Sequence, residues 1–150
     1  MEHPKDIGDR STLAIMSAIQ SLGFGIYLPF SENTRCDLIL EDQGSLLRVQ
    51  CKTGRLRQGA VVFALCSNYG HHRNPQTCHR DYQGQVDSFA VYCPETTGVY
   101  LIPIADVPGR RMASLRVDPP RNNQLHRVRF AADYEIGRVA IAGLRGPSGA

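Results

Sequence analysis

The sequence predicts an α/β (α+β) domain with a central mixed β-sheet flanked by helices, and three observations predict it. A stretch near the N-terminus carries apolar residues at helical spacing. Several later runs are short, rich in Val, Ile, Leu and Tyr, and broken by turns that contain Gly or Pro. A long polar stretch separates the early strands from the later ones.

Residues 9–22 read as an amphipathic helix, because Leu13, Met16, Ile19 and Leu22 recur at three-residue steps while Ala14 and Ala18 fill the small side. Asp9 or Ser11 can cap its start, and Gly23 stands where helices commonly stop. Ile26–Phe30 reads as a first strand, limited by Pro29 and followed by the polar loop Ser31–Arg35. Cys36–Leu40 and Leu46–Lys52 form a β-hairpin about the turn Glu41-Asp42-Gln43-Gly44-Ser45. Ala60–Cys66 is the next strand. Residues 67–85, rich in His, Arg, Asn and Gln, read as a long loop or helix-containing insert, a length that in small domains marks function or disorder. Ser88–Cys93 and Val99–Ile104 make another β-pair through Pro94-Glu95-Thr96-Thr97-Gly98. A short helix over 104–107, a small strand Leu115–Val117, the breaker Pro119–Asn123 and the segments Val128–Ala132 and Asp133–Ile136 complete a domain expected to span 1–136. Residues 137–150, with several Gly, read as a flexible C-terminal tail.

A chain of 150 residues is long enough for one domain with a real core, and 42% hydrophobic with 21% charged residues excludes a disordered composition. The net charge of +3 permits a polyanionic partner. Its distribution is uneven: Lys52, Arg55 and Arg57 form one group, His71, His72, Arg73, His79 and Arg80 a second, and Arg110, Arg111, Arg116, Arg121, Arg127 and Arg129 a third. Arginine dominates the excess, and its guanidinium grips phosphate through two hydrogen bonds. The 5 cysteines, with no CxxC spacing, read as free thiols of a reducing compartment. The polar start Met-Glu-His-Pro-Lys-Asp is no signal peptide, and no apolar run nears the roughly 20 residues that span a bilayer. A cytoplasmic protein with no membrane contact is expected.

Asp37, Gln50 and Lys52 carry the chemistry. Side chains alternate along a strand, so Gln50 and Lys52 point the same way while Val49 and Cys51 turn into an apolar layer. Asp37 opens the partner strand and can lie across from them. A carboxylate, an amide oxygen and an ammonium would meet at one end of the hairpin. Such a set suits a hard divalent cation, with the Cys51 backbone carbonyl as a further oxygen and Lys52 beside it to stabilise a phosphoryl oxygen or the attacking hydroxide. His71, His72, Cys78 and His79 crowd into nine residues, but adjacent histidines seldom share one zinc ion. A phosphate-facing loop, with Tyr69 and Tyr82, is the preferred reading there, and a zinc-stabilised interaction domain a lesser one.

The spacing Asp37 … Gln50-Cys51-Lys52 resembles the PD-(D/E)XK nuclease superfamily, with Gln where an acid is usual. Gly8-Asp9-Arg10-Ser11-Thr12, Pro29–Asp37, Leu47–Gly54, Asp81–Asp87 and Val91–Thr96 look like its intron-homing-endonuclease branch, so that the likeness covers most of residues 5–136. The resemblance implies a restriction-endonuclease-like core and a metal-dependent endodeoxyribonuclease that hydrolyses phosphodiester bonds in double-stranded DNA. It implies Mg²⁺, or Mn²⁺, as the cofactor, and no small-molecule cofactor. Asp37 and Gln50 would be metal ligands, and Lys52 would orient the nucleophile. Asp9 or Thr12 would stand where the family often places an extra acid, and Asp87 would be structural. DNA would lie against Arg35, Arg55, Arg57, His71, His72, Arg73 and Arg80. Cutting both strands from a one-site domain calls for a homodimer or homotetramer. The alternative is a catalytically weak or inactive DNA-binding module that keeps the fold.

Overall fold

The computed structural model describes residues 2–66, 84–109, 111–120 and 128–138. Among these residues one α-helix, α1 (Pro4–Ser21), precedes eight strands. These are β1 (Gly25–Tyr27), β2 (Leu38–Asp42), β3 (Ser45–Thr53), β4 (Arg55–Arg57), β5 (Ala60–Ala64), β6 (Ser88–Cys93), β7 (Gly98–Pro103) and β8 (Met112–Arg116). Single 3-10 turns occupy Ile104–Asp106 and Ala131–Tyr134.

The helix begins earlier than its apolar spacing suggests. Pro4 stands at its first position, where a missing N–H is harmless, and the His3 imidazole Nδ1 accepts the Lys5 amide at 3.2 Å. Asp9 and Ser11 therefore lie inside the helix and cap nothing. The inward stripe is also rotated from the expected one: Ser11, Ile15 and Ile19 are buried, whereas Leu13 is 65% exposed. Four-residue steps keep a straight helix facing one sheet, and the three-residue series through Leu13 and Leu22 drifts off that face. Gly23, at φ +86°, ends the helix as expected.

Five strands form a mixed sheet in the order β1-β2-β3-β6-β7. All neighbours are antiparallel except β3 and β6, which run parallel from Val49↔Ser88 to Thr53↔Tyr92. The β2–β3 hairpin is tighter than the sequence suggested. Asp42 pairs with Ser45, and only Gln43 (φ 49°) and Gly44 (φ 84°) turn the chain. Two positive-φ residues give a turn whose twist matches the strands. The same Gln-Gly device at 58–59 joins β4 to β5.

A second sheet, β4-β5-β8, packs over β6 and β7. Its strand β4 is absent from the sequence reading, since Arg55-Leu56-Arg57 is too short and polar to signal itself. Gly54 makes the passage from β3 into this sheet possible. A Cβ there would stand 2.7 Å from a Val61 methyl and 2.8 Å from a Val91 methyl. Two cores result. Ile15 and Ile19 of α1 meet Leu38, Leu40, Leu47, Val49, Ala90 and Leu101 on one face of the large sheet. Phe63, Leu65, Phe89, Val91, Ile102 and Leu115 fill the space between the sheets. The expected segments near 104–107 and 128–136 appear as the two 3-10 turns rather than as longer elements. Residues 67–83 of the expected insert 67–85 and residues 139–150 of the expected tail 137–150 fall outside the described residues. No described helix is long and apolar enough to cross a membrane.

Candidate functional site

Strand β3 sorts its residues by parity. Leu47, Val49 and Cys51 pack in the core beneath α1. The alternate side chains, Arg48, Gln50 and Lys52, therefore point to the opposite face. In register, Gln50 pairs with Phe89 and Lys52 with Val91, both members of the inter-sheet core. Asp37 stands one residue before β2, and continuing the Leu38↔Val49 register places it across from Gln50. Its amide donates to the Val49 carbonyl at 2.8 Å, which ties it to β3. Asp37, Gln50 and Lys52 thus share one side of the sheet.

Each of the three is held in an uneasy setting. The Asp37 Oδ2 accepts the Cys51 amide at 2.7 Å. Burial raises the Asp37 pKa above the ordinary carboxylate value, and the Cys51 amide and the Lys52 charge only partly offset that rise. The Gln50 Oε1 is buried and, among the described residues, has no hydrogen-bond partner. Buried acceptors are nearly always satisfied, so such an oxygen calls for a ligand. The Lys52 ammonium donates to the Cys66 carbonyl at 3.0 Å and lies 5.9 Å from the centre of the Phe89 ring.

Lys52 also lines a cleft of about 350 Å³ between α1 and the ends of β3 and β5, with Gly8, Ser11, Cys51, Thr53, Ala64 and Cys66. Asp37 and Gln50 lie outside that lining. The buried Ser11 hydroxyl meets the Thr53 hydroxyl at 2.6 Å and fixes α1 against the end of β3. Burial, reinforced by the nearby Asp37 charge and only eased by a Thr12 hydrogen bond, pushes the Cys51 thiol far above its usual range, so it stays protonated.

The remaining expected residues scatter. Asp9 is exposed on α1 and does not line the cleft. Thr12 is half-buried and donates to the Gly8 carbonyl at 3.0 Å. Arg35 is half-buried just before Asp37, Arg55 lies 3.8 Å from Glu95, and Arg57 is exposed on β4. Tyr69, His71, His72, Arg73, Cys78, His79, Arg80 and Tyr82, and with them every residue of the zinc reading, lie outside the described residues. Among the described residues no group of three or more His, Cys, Asp or Glu side chains converges. The sequence reading missed Arg48. Its amide and guanidinium both bond Asp87, at 2.8 to 3.3 Å, and its guanidinium reaches the Gly84 carbonyl at 2.8 Å. The parity that joined Gln50 to Lys52 extends to Arg48, and that signal could have found it. Asp87 is accordingly a structural anchor at the start of β6.

One helix with a mixed sheet is the restriction-endonuclease-like arrangement, and comparison with known proteins agrees. A bacterial homing endonuclease, I-Ssp6803I, shares the fold with a TM-score of 0.63 at 21% identity, over 85% of each chain. Among curated proteins, none matches this chain. A family model described as PD-(D/E)XK endonuclease matches residues 2–137, a span that takes in α1, both sheets and all of Asp37, Gln50 and Lys52. The chain belongs to the PD-(D/E)XK endonuclease family.

Proposed function

We propose that this chain is a divalent-metal-dependent DNA endonuclease that hydrolyses phosphodiester bonds through Asp37, Gln50 and Lys52. The orphaned Gln50 Oε1 carries the reading, because it is a buried acceptor on the same sheet face as a poorly compensated carboxylate. Two hard oxygen donors of this kind fit Mg²⁺ or Mn²⁺ better than a soft metal. Asp37 and Gln50 would hold the ion, with the Cys51 carbonyl as a third oxygen. The ion would polarise the phosphoryl group and lower the pKa of a bound water. Asp37 keeps its orientation through the Cys51 amide. Lys52, held at the cleft by the Cys66 carbonyl and the Phe89 ring, supplies positive charge where negative charge develops on the phosphate. Arg35 and Arg57 would meet neighbouring phosphates, and two copies of the chain would cut the two strands.

Supercoiled plasmid incubated with Mg²⁺ tests this directly. Wild type is expected to nick and linearise it, and Asp37→Ala and Lys52→Ala to do neither. Undiminished cutting by both variants removes these residues from the reaction. A second reading, a DNA-binding module with little turnover, is favoured by the amide at position 50 in place of an acid. It predicts salt-dependent DNA binding without metal-dependent nicking by wild type. Under that reading Gln50→Glu, which adds a second carboxylate, gains activity; under the first it lowers the Mg²⁺ needed for half-maximal cutting.

A further inference from the structure

A glycine in the second turn of α1 has no packing reason to be there. Gly8 sits inside the helix Pro4–Ser21, where glycine is the poorest helix former after proline. A Cβ at this position would meet no atom within 4 Å, so nothing in the fold requires its absence. The residue is half-buried all the same, because it forms part of the wall of the cleft that contains Lys52. That cleft, at about 350 Å³, has the size of a ligand site. Its wall also holds the hydroxyl pair Ser11 and Thr53. Lys5 lies three residues before Gly8, hence on the same side of the helix, and is exposed. Where a helix accepts glycine in the wall of an open cleft lined by a lysine, with a second lysine one turn away on the same side of the helix, the backbone leaves room for an anionic chain to come close.

We infer that α1 forms one wall of the DNA path, with Gly8 the point at which the sugar–phosphate backbone passes nearest the protein and Lys5 the contact to the adjoining phosphate. This rests on the nuclease reading and adds to it a binding surface on α1, across the cleft from Lys52. The cleft is then a channel for the strand leaving Lys52, and any side chain larger than hydrogen at position 8 narrows it.

Gly8→Ala, Gly8→Leu and Lys5→Gln test the inference together, read by thermal unfolding, by affinity for a duplex oligonucleotide across a salt series, and by plasmid cleavage. Both Gly8 variants improve helix propensity, so Tm is expected to rise by about 2–4 °C. Affinity is expected to fall with side-chain size, at least about tenfold for Gly8→Leu, with kcat/KM falling in parallel. Lys5→Gln is expected to reduce the slope of log affinity against log salt by about 0.9, the loss of one phosphate contact. A Gly8→Leu protein that folds and binds DNA like wild type overturns the inference while leaving the nuclease reading intact. An unchanged salt slope for Lys5→Gln overturns it equally, even if Gly8→Leu were to misfold. Wild type that neither binds nor cuts DNA overturns both.

Discussion

The two faces of β3 (Ser45–Thr53) come from one backbone and one register, yet one presents mainly aliphatic side chains and the other charged and amide groups. Toward α1, Leu47 and Val49 are fully buried among aliphatic neighbours, and the one hydroxyl at the strand end, Thr53, is matched by Ser11. Toward the other side, Asp37 is made harder to ionise by burial, and Gln50 keeps a buried oxygen without a partner among the described residues. The first face lowers the free energy of the fold. At Asp37 and Gln50 the second raises it, in the manner of sites that keep polar groups ready for a ligand. Stability and chemistry should therefore be separable by substituting alternate residues along a single strand.

The sharpest break of that comparison is Asp37→Asn with Lys52→Ala. Metal-dependent DNA cleavage is expected to fall by about 10²–10³-fold or more in each. Asp37→Asn, which keeps an acceptor for the Cys51 amide and drops the buried charge, should melt no lower than wild type. Cleavage at the wild-type rate would move the chemistry off this face. On the opposite face, Leu47→Ala is expected to cost about 2–5 kcal/mol in urea unfolding while leaving the turnover of folded molecules within a few-fold. A loss of turnover well beyond the unfolded fraction would show that the two faces are not independent.

Gln50→Met offers a finer test. It keeps the length of the side chain and removes the orphaned oxygen, so it should stabilise the fold by up to about 1–3 kcal/mol while weakening cleavage. Destabilisation would mean that the oxygen is satisfied. The smallest effect provides a control, a polar group away from β3 that does have its partner. The Tyr134 hydroxyl donates to Asp106 Oδ2 at 2.8 Å, and burial, then that bond, raises its pKa from 10.0 to about 12. The folded chain thus keeps this proton longer than the unfolded one. Its contribution is complete below pH 10 and fades as pH climbs towards about 12. Tyr134→Phe should flatten this part of the stability–pH curve, and an unaltered curve would mean that the bond contributes nothing.

Much of this was written in the sequence, and the gaps have physical causes. The β2–β3 and β6–β7 pairs were legible because aliphatic runs flank Gly-bearing turns, and the common side of Gln50 and Lys52 follows from a period of two. The start of α1 was not, because it depends on His3 and Pro4 rather than on apolar spacing, and its inward stripe was set by the sheet it meets. The Cys51 amide on Asp37, the Phe89 ring near Lys52 and the buried state of the Gln50 oxygen were also hidden. All three arise from which strands lie side by side, and the β3–β6 neighbourhood spans a separation no local pattern records.

That parallel pairing also bears on how the chain is made. The strand next to β3 on its inner side is β6, which begins at Ser88. A chain emerging from the ribosome exposes β3 as an open edge, with unpaired amides and carbonyls beside Leu47 and Val49, until the residues up to Cys93 have followed. Such an edge is a template for pairing with another chain. A fragment ended before Ser88 should therefore aggregate rather than fold, and slow translation over that interval should lower the yield of native protein.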